Sequence, residues 1–335
     1  MSAIIEVRDL VKVYNGSVKA VDRISFDVEE GEIFGFLGPN GAGKTTTISM
    51  ITTLLGITEG SIKVAGHDVA NEATSVRQVI GLVPQELTVD DDLTGRENMQ
   101  LQADLYNVPR EMAKERIEEL LVLVDLREAA DRFVRTYSGG MRKRLELAEG
   151  LIHRPRILFL DEPTLGLDVQ TRAVMWEHIR KLKRESNMTV FLTTHYLEEA
   201  DSLCDRIGII DRGRIMALES PSKLKANLGG DIIEMAVEGE GDFSSALGVE
   251  CDGQCQRREG NVYRVKVREG QAQIPRLLKA VTDRGGVVLS VNLTRPNLDQ
   301  VFLEYTGRSL RDAEQSTVTN RGERMAQARQ MARRK

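Results

Sequence analysis

The stretch EIFGFLGPNGAGKTTTISM, residues 32–50, limits what this chain can fold into more than any other. The apolar run 32–37 reads as a short buried strand, and the segment from Lys44 onward reads as a helix. Between them, Gly38-Pro39-Asn40-Gly41-Ala42-Gly43-Lys44-Thr45 fits the pattern G-x-x-x-x-G-K-[ST]. Glycines there let successive backbone N–H groups curl around a phosphate at a helix N-terminus, where the dipole favours an anion. Lys44 supplies a cation to the β and γ oxygens, and the Thr45 hydroxyl is a ligand for Mg²⁺. Strand, loop and helix in this order predict an α/β fold with a nucleoside triphosphate bound where its parallel strands end.

Two further segments repeat the strand-then-polar pattern. RPRILFLDEPTLGLD, residues 154–168, is an apolar strand ending in two acids. Asp161 falls at the ligand edge and suits Mg²⁺, held through water. Glu162 follows it directly, points another way, and is placed to activate a water for in-line attack on a γ-phosphate. MTVFLTTHYLEEAD, residues 188–201, brings His195 to the same edge, within reach of that phosphate or water. Gln85 follows the apolar run VIGLV, and two readings stand for it: a Mg²⁺ ligand, or the cap of a turn. In TYSGGMRKRLELAEG, residues 136–150, Ser138, Gly139 and Gly140 open a helix with free N–H groups suited to an anion.

Alternating short strands and helices over 1–220 predict a largely parallel sheet, with strands at 32–37, 79–83, 157–160, 189–193 and 207–210. Segments 4–8, 23–28 and 61–64 predict an antiparallel layer against it, and 94–130 reads as helical. Pro221 and Gly229-Gly230 mark a boundary. Beyond it, strand-like and helical segments predict a small α+β domain over 231–307, its last helix capped by Asn297. Residues 308–335 carry eight Lys/Arg against three Asp/Glu and are expected as a solvated tail, with anionic lipid or RNA as the alternative.

Composition narrows the classes. A net charge of −5 gives no general case for nucleic-acid binding, and no apolar run approaches the roughly 20 residues that span a bilayer. The three cysteines are too few and too unevenly spaced for a disulfide framework. Cys251 and Cys255 read as ordinary loop thiols, and a reducing compartment is expected.

In order and spacing, these motifs resemble the nucleotide-binding subunit of an ATP-binding cassette (ABC) transporter, over essentially all of 1–222. Tyr14 matches the aromatic that stacks on adenine, and Gly38–Thr46 matches the Walker A loop, Thr46 included. Gln85 matches the Q-loop, Ser138-Gly139-Gly140 the signature, and Ile157–Asp161 with Glu162 the Walker B strand and its base. Leu167-Asp168 falls in the D-loop, and His195 matches the switch histidine. The resemblance implies a RecA-like P-loop core with an antiparallel β subdomain and a helical signature subdomain at about 86–150. It implies ATP and Mg²⁺ as cofactors, held by Tyr14, loop 38–46, Gln85 and residues 138–140, with Thr45, Gln85 and Asp161 toward the metal. Glu162, His195 and Lys44 are the implied catalytic residues. Its partners would be a second copy, joined head to tail so that each ATP meets the other chain's signature, and a separately encoded membrane permease at the cytoplasmic face.

The cassette is expected over 1–222, with a linker at 223–230. Tyr137 and Met141 stand where the family commonly has Leu and Gln; with NLDQVFLEYTGR at 297–308, they resemble the daunorubicin-resistance type of exporter ATPase. An importer ATPase, or an ABC ATPase acting on ribosomes or nucleic acid, is the alternative. A single cassette, with only a compact helical segment between Lys44 and Ser138, argues against the second.

Overall fold

A computed structural model describes residues 3–310 except 229, 240, 251–254, 259–260 and 268, together with 312 and 313. It divides into one unit running to Glu219, which also takes in residues 310, 312 and 313, and a second over Ser220–Ser309.

The first unit opens with β1 (Ala3–Tyr14) and β2 (Val18–Glu29), then β3 (Ile33–Leu37), α1 (Lys44–Ile51), β4 (Glu59–Val64), β5 (His67–Asp68), α2 (Ala73–Val79) and β6 (Ile80–Val83). It continues through α3 (Gly95–Leu105), α4 (Arg110–Leu123), α5 (Gly139–Glu149), β7 (Ile157–Asp161), α6 (Val169–Ser186), β8 (Thr189–Thr194), α7 (Leu197–Leu203), β9 (Arg206–Asp211) and β10 (Arg214–Glu219). Strands β9-β3-β8-β7-β6 run parallel, and β10 adds an antiparallel edge on β9. The parallel strands β3, β6 and β7 read as near-continuous apolar runs because both faces of the sheet are covered. The expected antiparallel layer is a second sheet in the order β2-β1-β4-β5. Phe26 of β2 joins the two sheets, stacking on Phe34 at 5.5 Å and lying 5.6 Å from Phe36 and 6.1 Å from Phe191.

The long helical reading of 94–130 resolves into α3 and α4. Thr94 and Glu97 start α3 with a reciprocal capping box, and Asn107 at φ 55 with Pro109 breaks the chain before α4. Strand β10 was not expected; its residues are only half buried, so its apolar alternation is weak.

The second unit contains α8 (Pro221–Asn227), β11 (Asp231–Glu238), α9 (Ser244–Glu250), β12 (Cys255–Arg258), β13 (Val262–Val267), α10 (Gly270–Thr282), β14 (Val287–Thr294) and α11 (Leu298–Thr306). Its antiparallel sheet, ordered β12-β13-β11-β14, has its own core built on Ile233, Met235, Phe243, Tyr263, Val265, Leu277 and Val281. Asn297 caps α11 as expected, accepting from the Gln300 N–H at 2.9 Å. Most of the expected linker 223–230 is instead helix α8. The Ser220 hydroxyl accepts from the Lys223 N–H, and Pro221 fits the first turn, where no N–H is needed. Cys255 lies on strand β12 rather than in a loop, and it and Cys204 are free thiols. Cys251 and most of the basic tail fall outside the described residues.

A candidate nucleotide-binding site

Strand β3 ends at Leu37, and the chain turns through loop 38–43 into α1. Only glycine fits two of these positions. A Cβ on Gly38 would lie 2.2 Å from the Ile210 carbonyl oxygen, and one on Gly43, at φ 109, would lie 2.6 Å from that of Ala20. The loop therefore presses against the ends of β9 and β2 and leaves Asn40, Gly41 and Thr45 at the surface, with Ala42 buried and Thr46 half buried. Lys44 is only 4% exposed. Its Nζ donates to the carbonyls of Gly38 at 2.7 Å and Pro39 at 3.2 Å, and pairs with Glu162 at 3.1 Å.

Asp161 ends β7 directly opposite Thr193 of β8, and its carboxylate accepts from the hydroxyls of Thr193 and, at 3.4 Å, Thr45. Burial pushes the Asp161 carboxyl up, a rise the two hydroxyls only partly offset. Glu162 then takes φ 49, a left-handed conformation that costs a non-glycine residue about 1–2 kcal/mol. Its N–H donates to the Thr193 hydroxyl at 3.0 Å, while its carboxylate meets Lys44 on one oxygen and His195 Nδ1, at 3.0 Å, on the other. Burial would raise the Glu162 carboxyl, but the His195 hydrogen bond and the Lys44 charge outweigh it and hold it below the ordinary range. Glu162 is thus ionised at neutral pH.

Lys44, Thr45, Asp161, Glu162 and His195 therefore converge at one sheet edge. Their donor set fits Mg²⁺: one hydroxyl and one carboxylate suit a hard cation that takes oxygen ligands and shares its shell with phosphates. Thr193 was not singled out in the sequence, although its place opposite Asp161 follows from parallel register.

The other expected residues stand apart from this cluster. Tyr14, at the end of β1, is 38% exposed, with Lys12 Nζ 5.4 Å from its ring. Gln85 is exposed in the loop after β6; among the described contacts, none joins its side chain to Thr45 or Asp161. Ser138 caps α5, accepting from the Met141 N–H at 3.2 Å. Gly140 is a glycine because a Cβ there would sit 2.2 Å from Thr171 Cγ2, whereas Gly139 faces open space. Among the described residues, nothing in the packing accounts for Gly139. Tyr137 is buried, its hydroxyl donating to the Ala129 carbonyl at 2.7 Å. Asp168 caps α6, accepting from the N–H groups of Gln170 and Thr171.

Comparison with known proteins gives the family. A family model described as ABC transporter matches residues 21–165, and one described as ATP-binding protein DrrA1-3-like, C-terminal domain, matches 220–306. The daunorubicin resistance ATP-binding protein DrrA3 of Streptomyces coeruleorubidus is 42% identical, over 87% of this chain and 92% of that one. The Nod factor export ATP-binding protein I of Cupriavidus metallidurans is 38% identical, over 93% of this chain and 100% of that one. Among solved structures, the dimeric ATP-binding cassette MJ0796 bound to ADP and Pi superposes with TM-score 0.59 at 27% identity, over 64% of this chain and 98% of that one. With its phosphate loop, Asp161, Glu162 and His195 at one sheet edge, the chain belongs to the ATP-binding proteins of ABC transporters, which are ATPases, and carries a DrrA1-3-like C-terminal domain.

Proposed function

We propose that this chain works as a head-to-tail dimer around two ATP and powers a separately encoded multi-pass permease that exports drugs, lipids or other amphiphiles. The observation that carries the reading is the contact of Glu162 with both Lys44 and His195. Lys44 donates to two carbonyls of its own loop and to Glu162; phosphate oxygens of ATP offer it further charge-assisted partners. As Lys44 turns to them, Glu162 loses the charge of Lys44, which depresses its basicity, and can accept a proton from the attacking water. His195 keeps the carboxylate oriented. Mg²⁺, when bound, neutralises charge on the phosphates, with Thr45 and Asp161 as its protein ligands and Gln85 as the additional one.

The open space at Gly139 supports a nucleotide lying against the signature of another copy, and MJ0796 is itself dimeric. Export is supported by the Nod factor relative, and attachment to a membrane follows from the permease. Among the described residues, no helix is long and apolar enough to cross a membrane.

The test is Glu162→Gln. ATPase kcat should fall about a hundredfold or more while ATP still binds, and light scattering with ATP should show a stable dimer. Hydrolysis at the parent's rate would remove Glu162 as base, and a monomer at saturating ATP would remove the head-to-tail dimer.

A further inference from the structure

Helix α5 carries two buried charges that the site above does not use. Lys143 and Glu146, one turn apart, are 5% and 2% exposed and pair at 3.0 Å. Lys143 Nζ donates to the carbonyl of Pro84 at 2.6 Å and to that of Gln85 at 3.3 Å. Glu146 accepts from the Thr88 N–H and, at 3.1 Å, from the Thr88 hydroxyl. Segment 84–88, which carries Gln85, has no regular secondary structure. Its backbone is thus gripped at both ends by one turn of the helix whose first turn is Ser138-Gly139-Gly140. Other side chains of α5 hold the neighbouring helical region: Arg144 donates to the Val124 carbonyl at 2.8 Å, and Arg142 to that of Arg135 at 3.3 Å.

Stability alone does not account for this arrangement. Taking two charges out of water is costly, and an apolar pair of similar volume is often as stable or more so. What an apolar pair cannot do is hold two carbonyls, one N–H and one hydroxyl in a fixed register. We infer that Lys143 and Glu146 are positioning residues: a clamp that makes segment 84–88 and the signature end of α5 move as one body. A displacement of Gln85 at one nucleotide is then passed to the residues that face the other. The inference rests on the proposed composite site.

The experiment uses the full chain and the double variant Lys143→Met with Glu146→Leu, which removes both charges and keeps volume. Its melting temperature and ATP dissociation constant should match the parent's, while ATPase kcat falls about tenfold, the size expected when coupling between sites is lost. Lys143→Arg, which keeps the donors, should retain most of the rate. Thr88→Val, which leaves the pair in place, should lower kcat about threefold through one lost hydrogen bond, and it decides the matter if the double variant does not fold. A double variant or Thr88→Val that hydrolyses ATP at the parent's rate overturns the clamp alone. So does a rate that falls only in step with melting temperature or ATP affinity. A parent without ATPase activity overturns the functional reading and the clamp with it.

Discussion

At the residue scale, the buried carboxylates of this cassette are set by different neighbours. Glu162 has two cationic or donor partners and stays ionised; Glu149, buried on α5, has no such partner among the causes acting on it. Burial, then the charge of Glu146, pushes the Glu149 carboxyl up to about 8. The unfolded chain ionises Glu149 near its ordinary 4.5, so between there and about 8 the native state binds more protons than the unfolded one. Its contribution is therefore fully present below about 4.5 and is lost as pH rises through about 8. Glu149→Gln removes that dependence. Chemical denaturation should find the variant about 1–3 kcal/mol more stable than the parent near pH 8.5, and the two alike near pH 4.5. Curves that stay parallel across this range would show that Glu149 is solvated in the native state.

At the scale of elements, the signature helix is aimed by what lies just before it. Tyr137, the residue that sets this signature apart from the common Leu, is buried with its hydroxyl on the Ala129 carbonyl. Room for the phenol comes from Gly95 at the start of α3, where a Cβ would lie 2.4 Å from that oxygen. The Tyr thus depends on a glycine some forty residues upstream. Gly95→Ala should destabilise the chain by about 1–3 kcal/mol through overpacking, and adding Tyr137→Leu should recover much of the loss in a double-mutant cycle followed by thermal unfolding. Strictly additive effects would mean that the two residues do not share this space.

At the scale of the whole molecule, two cores are built from separate stretches of chain. The second unit packs its sheet and helices on Phe243 and Tyr263, whose rings meet edge-on at 6.0 Å. Phe243→Ala should cost that unit about 3–5 kcal/mol and expose 231–306 to protease. Its core shares no residue with loop 38–45, so ATP affinity should change by no more than about twofold. A large loss of ATP affinity would show that the units fold as one.

Much of the fold and the site was legible in the sequence because each depended on short-range patterns. The loop 38–45, the acids after an apolar strand and the histidine after another are local signals, and the parallel sheet that aligns strand ends puts all three at one edge. Pro221 marks a boundary in the sequence, but it is also the first residue of helix α8 capped by Ser220, and local pattern does not separate the two. Contacts between distant segments come from folding alone: Glu162 between Lys44 and His195, Thr193 beneath Asp161, Tyr137 against Gly95, and Lys143 with Glu146 around segment 84–88. The physical reason is that a motif fixes which groups are present and roughly where the chain turns. Burial, left-handed backbone and the pairing of charges depend on which segments the folded core brings together.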